Sequence, residues 1–162
     1  MKNILILSFF VLFAANIFAQ LPSVTLKTID GKTINTDTLR NGDKPFIISF
    51  FALWCKPCLR ELEEVSELYE EWQKETGVKI FAVSIDEAQN SQKVKPYINQ
   101  KGWEYEILLD PNGDFDRAMN VNKYVPAVFI YDGNGNQVFS RKGFVEGSAE
   151  NWIEKVREIV KN

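Results

Sequence analysis

Two hydrophobic periods alternate along this chain, one of about two residues and one of three to four. Val24 to Ile29 alternates apolar and polar side chains, as a half-buried strand does. Asp30-Gly31 signals a turn, and Lys32 to Asn35 returns as a hairpin partner. Thr36 or Asp37 is placed to cap a short helical turn ending at Leu39, after which Asn41-Gly42-Asp43 breaks the chain. Phe46 to Phe51 is apolar except at Ser49, which suits a central strand covered on both faces. A long helix is predicted from about residue 56 to about Lys74. Leu62, Val65, Leu68, Tyr69 and Trp72 form its apolar face, Glu63, Glu64, Glu67, Glu70 and Glu71 the other, and Gly77 its stop.

Val78 to Ile85 is a second buried-strand pattern. Ala88 to Gln100 reads as a helix that Pro96 kinks or shortens. Tyr105 to Leu109 is a short strand closed by Asp110-Pro111-Asn112-Gly113, and Phe115 to Met119 a short helix. Val128 to Tyr131 and Gln137 to Arg141 form a hairpin around residues 132–136. Ser148 to Val160 is a terminal helix, with Ser148 as its cap and Trp152, Ile153, Val156, Ile159 and Val160 as its apolar face. This order predicts an α/β fold: a central mixed sheet with helices on both faces, antiparallel strands at one edge and an extra N-terminal β-hairpin.

The first residues follow a different logic. Lys2 precedes a run from Ile4 to Phe13 that is apolar except for Ser8; small residues follow at Ala14 and Ala15, and Ile17-Phe18-Ala19 closes the segment. Basic, then apolar, then small is the order of a secretory signal peptide. Residues 1–19 are therefore read as the signal and 20–162 as the domain, with an exported, periplasmic or cell-envelope location. The run is short for a membrane span; the alternative is an uncleaved N-terminal anchor.

The formal net charge of −3 offers no footing for nucleic acid or an anionic membrane. The 162 residues contain two cysteines and no histidine. That excludes a Ser-His-Asp triad, a Cys-His pair and a histidine-ligated metal. Two cysteines cannot complete a zinc site within one chain, so neither metal nor cofactor is expected. A dithiol–disulfide pair remains. A purely structural disulfide is the bland alternative, but so small a loop restricts the unfolded chain by only about 2 kcal/mol.

The pair stands in Trp54-Cys55-Lys56-Pro57-Cys58, between an apolar strand and an amphipathic helix. Unpaired amides and partial positive charge at a helix N-terminus stabilise a thiolate. Lys56 adds a full positive charge, Pro57 fits the first turn, and Trp54 offers a flat apolar contact surface for a substrate. Cys55 is expected to be the exposed nucleophile that forms a mixed disulfide, and Cys58 the more buried thiol that resolves it. A buried thiol resists ionisation, and Glu61, three residues on, is the candidate base. The competing reading places Glu61 in a solvated acidic run with Glu63 and Glu64. Val125-Pro126 precedes the strand at Val128. If that bond is cis, the free N–H and C=O of Val125 can pair with a bound peptide; if trans, it simply opens an edge strand.

With these residues in place, the chain from about Leu21 onward resembles the thioredoxin superfamily, and within it the TlpA/ResA group of exported thiol–disulfide oxidoreductases. The resemblance rests on the Trp-Cys-Lys-Pro-Cys motif, Glu61, Asp110 with Gly113, Val125-Pro126 and Gly143-Phe144. It implies a cis Pro126 and a working Glu61. It further implies a dithiol reductant recharged by a membrane thiol donor, acting on oxidised client proteins such as apocytochrome c. Two departures stand out. Ser49 lies where cytoplasmic thioredoxins carry a buried aspartate, and Ala127 where many relatives carry threonine. The rival readings are a thiol peroxidase, for which no Thr-x-x-Cys pattern surrounds Cys55, and a peptide-binding module without redox turnover.

Overall fold

The computed structural model describes residues 21–161. The signal-peptide reading of residues 1–19 lies outside them. Seven strands run β1 (Thr25–Thr28), β2 (Thr33–Asn35), β3 (Phe46–Phe51), β4 (Lys79–Ser84), β5 (Glu106–Leu109), β6 (Ala127–Tyr131) and β7 (Gln137–Lys142). Among the described residues five α-helices are interleaved: α1 (Lys56–Thr76), α2 (Ala88–Ser91), α3 (Val94–Lys101), α4 (Asp114–Ala118) and α5 (Ser148–Val160). One sheet holds the strands in the order β2-β1-β5-β4-β3-β6-β7. Its centre, β3 with β4 and β4 with β5, is parallel, and the strands outside it pair antiparallel.

The central strand is β3, and all six of its residues are buried. Alternation sends neighbouring side chains to opposite faces. Phe50 meets Phe115 of α4, whereas Phe51 meets Trp103, which packs against Tyr105, whose ring in turn meets Tyr69 of α1 edge-on. Helices therefore cover both faces, as the pattern predicts. α5 lies beside α1, and Arg157 grips Glu75 through two hydrogen bonds of 2.7 Å.

Local chemistry moves several expected boundaries. Asn35 caps the 3-10 turn over Thr36–Thr38 by accepting from the Asp37 amide, while the Thr36 hydroxyl binds the Val24 amide and the Pro22 carbonyl instead. Pro96 does not kink a single helix. The chain breaks at Gln92-Lys93, and Pro96 falls in the first turn of α3, where no intrahelical donor is needed. Gly147, at φ 75°, occupies the cap position of α5, and the Ser148 hydroxyl donates back to the Val145 carbonyl. Leu68 sits at the margin of the α1 stripe and is exposed, as is Val160, the last residue of α5. Gly77 ends α1 as expected, in the left-handed conformation that favours glycine.

Candidate active site

The strand–helix junction is built by two tethers. The Cys55 amide donates to the Ala52 carbonyl at 3.0 Å, and the Leu53 amide donates to Asp86 Oδ2 at 2.9 Å. Asp86 also receives the Ser84 hydroxyl at 2.9 Å, so the end of β4 holds the loop that leads into the cysteines. Sequence reading missed this carboxylate, although an acid directly after a buried strand is its visible signal.

Cys55 is the N-cap of α1, and its sulfur accepts the Cys58 amide at 3.3 Å. The two sulfurs form a disulfide with a Cα–Cα distance of 5.3 Å. Lys56 and Pro57 occupy the exposed first turn, and Trp54 is 58% exposed beside them. The expected exposure of Cys55 needs correction. In the disulfide, Cys55 is only 5% exposed, against 1% for Cys58. Its sulfur is folded back onto the helix by the bond to Cys58 and by the Cys58 amide.

Register brings the second half of the site to the same place. Ala127 of β6 pairs with Phe50 near the end of β3, so Val125-Pro126 stands at the sheet edge from which the cysteines emerge. The Val125–Pro126 bond is cis. The Val125 N–H is not free, however. It closes a tight turn onto the Lys123 carbonyl at 3.1 Å, whereas the Val125 carbonyl has no hydrogen-bond donor among the described residues. The turn after β7 buttresses this loop, because the Gly143 amide donates to the Pro126 carbonyl at 2.7 Å.

Glu61 belongs to the buried face of α1, not to a solvated acidic run. Its side chain is 1% exposed. Burial pushes its carboxyl above the usual range, while Ser148 and Arg141 oppose the rise and Glu64 adds to it. Oε1 pairs with the Arg141 guanidinium, and Oε2 has no hydrogen-bond partner among the described residues. The nearby Ser148 hydroxyl is turned to the Val145 carbonyl.

Arg141, like Asp86, is a residue that sequence reading did not single out. Register explains its place: Ser49, Val128 and Arg141 are paired across β3, β6 and β7, so their side chains form one row on the face toward α1. The signal was the two-residue repeat that puts Arg141 on the face of the half-buried Phe139. Ser49 contributes to the same row a buried hydroxyl without a hydrogen-bond partner among the described residues. No cluster able to hold a metal is present among the described residues.

The AhpC/TSA family model matches residues 17–138, three quarters of the chain. The chain belongs to the AhpC/TSA family. Within this thioredoxin-like family it is of the TlpA/ResA type. The thiol-disulfide oxidoreductase ResA of Bacillus thuringiensis subsp. konkukian is 28% identical over 140 residues, covering 86% of this chain and 76% of its own length. A thioredoxin-like protein from Porphyromonas gingivalis, solved in solution, is 61% identical, with a TM-score of 0.79 over 89% of this chain and 94% of its own. StoA from Bacillus subtilis is 25% identical, with a TM-score of 0.65 over 83% and 96%. Together with the disulfide, these relatives support a thiol–disulfide oxidoreductase.

Proposed function

We propose that this AhpC/TSA-family protein works outside the cytoplasm, in the periplasm or cell envelope, and reduces disulfides in client proteins. The Cys55–Cys58 pair at the N-terminus of a 21-residue helix carries the reading. In the reduced protein, the Cys55 thiolate attacks a client disulfide and expels one client sulfur as thiolate. Glu61 then takes the Cys58 proton, and the Cys58 thiolate attacks Cys55 Sγ. The second client sulfur leaves, two electrons have passed to the client, and the protein holds the disulfide described above. A membrane thiol donor restores the dithiol. Trp54, Lys56 and Pro57 form the exposed contact surface, and the Val125 carbonyl, next to Pro126, accepts a client amide. Oxidised proteins such as apocytochrome c are the client class.

Reduction potential tests the direction. The domain is equilibrated in defined thiol–disulfide buffers and free cysteines are counted by alkylation mass shift. A value near about −250 mV or lower supports a reductant, and one near about −120 mV makes the protein an oxidant. Failure to cycle favours a peptide-binding module. Consumption of peroxide with a thiol donor favours a thiol peroxidase.

A further inference from the structure

A chain of contacts runs from the client-facing turn to the buried carboxylate. The Pro126 carbonyl accepts the Gly143 amide, the Gly143 carbonyl accepts Arg141 Nη1, and Arg141 Nη2 donates to Glu61 Oε1. Glu61 lies one helical turn beyond Cys58. Arg141 thus holds the turn after β7, which buttresses the client-facing turn, with one nitrogen and the candidate base with another. Its side chain is 15% exposed, so the guanidinium acts across a poorly solvated space, where charge is weakly screened.

We propose that Arg141 is a positioning residue for the resolving step, orienting the Glu61 carboxylate and keeping it ionised so that it can accept the Cys58 proton. This rests on the reading of Glu61 as the base. The groups facing Glu61 are few. Arg141 comes from β7, and the Ser148 hydroxyl comes from the start of α5. Glu64 lies on the same helix, with Arg60 paired to it at 3.0 Å. Val128 and Ser49, which share the row of Arg141 on β6 and β3, bring no charge. Arg141 is therefore the cation that opposes the cost of burying the Glu61 charge. The unpartnered Oε2 remains to receive a proton.

The test is the pH profile of mixed-disulfide resolution. Reduced protein reacts with a disulfide-bonded peptide in single turnover from about pH 4 to 9, and the transient adduct is followed by acid quench and mass. Removing the positive charge makes Glu61 easier to protonate, so the acid limb moves to higher pH. Arg141→Gln is expected to move it by about one unit or more, a tenfold lower rate on that limb. Arg141→Lys keeps a charge but not the two-pronged grip, and is expected to move it in the same direction by less. Glu61→Gln with Arg141→Gln is expected to match Glu61→Gln alone, because coupled residues are not additive. If neither arginine variant moves the limb while Glu61→Gln abolishes it, the role of Arg141 is overturned and Glu61 stands. If Glu61→Gln leaves the profile unchanged, the base reading itself fails. Should Arg141→Gln not fold, the movement of the limb in Arg141→Lys decides.

Discussion

Glu61 and Asp110 are both buried carboxylates, and burial pushes both above their ordinary ranges. Their surroundings differ. Asp110 closes β5, and each of its oxygens has a backbone donor: Oδ1 takes the Asp114 amide and Oδ2 the Asp116 amide, both at 2.8 Å. Asp116 in turn takes the Lys123 amide, at 2.9 and 3.2 Å, and so ties α4 to the loop before Val125. The bonds that these two aspartates accept all come from backbone amides. Glu61 has one side-chain cation and an oxygen without a hydrogen-bond partner among the described residues. A saturated carboxylate organises a turn, whereas an unsaturated one a helical turn from a cysteine suits the proposed proton transfer. The contrast separates an acid that builds the fold from one that the proposed mechanism uses as a base.

Substitution should break the two regions in different ways. The largest effect is expected at the redox end: Glu61→Gln slows mixed-disulfide resolution by about 100-fold, while the first attack by Cys55 is unaffected. Quenched-flow counting of the adduct checks this. In the structural region, Asp110→Ala leaves two amides without their acceptor and is expected to cost about 2–3 kcal/mol in urea denaturation. Exchange by the folded fraction should be unchanged.

A smaller effect lies in pH dependence. Because the folded pKa of Glu61 is raised, its contribution favours the fold below the ordinary glutamate range and is lost as pH rises through the folded value. The stability of the wild type relative to Glu61→Gln should therefore fall between about pH 4 and neutrality, and urea titrations across that window measure it. The smallest effect concerns Trp54, whose ring is largely exposed. Trp54→Ala is expected to leave stability within about 0.5 kcal/mol. The affinity for a client peptide should weaken, which calorimetry with the oxidised protein and a peptide whose cysteines are replaced by serine reads.

Much of this architecture was legible because local pattern and burial agree. The apolar run of β3 has the same limits in the sequence and the structure, and the stripe of α1 appears at Leu62, Val65, Tyr69 and Trp72. The cysteine motif announces its own chemistry through its place between those two elements. Ser148 and Pro96 were harder. A serine before a helix reads as a cap, but Gly147 supplies the required backbone conformation. A proline inside a helical pattern reads as a kink, but here a new helix starts just ahead of it. Arg141 was least accessible, since its partner is 80 residues away and only strand register brings the two together. Burial of Glu61 depends on the same register, so spacing along the helix placed the residue without revealing its environment.

Trapping the intermediate tests the central claim most directly. Reduced Cys58→Ser and Cys55→Ser proteins are mixed with a disulfide-bonded peptide, quenched and weighed intact, and the modified cysteine is located by fragmentation. The account predicts a stable adduct on Cys55 in Cys58→Ser and essentially none in Cys55→Ser. An adduct that forms equally well on Cys58, or on neither cysteine, would contradict it.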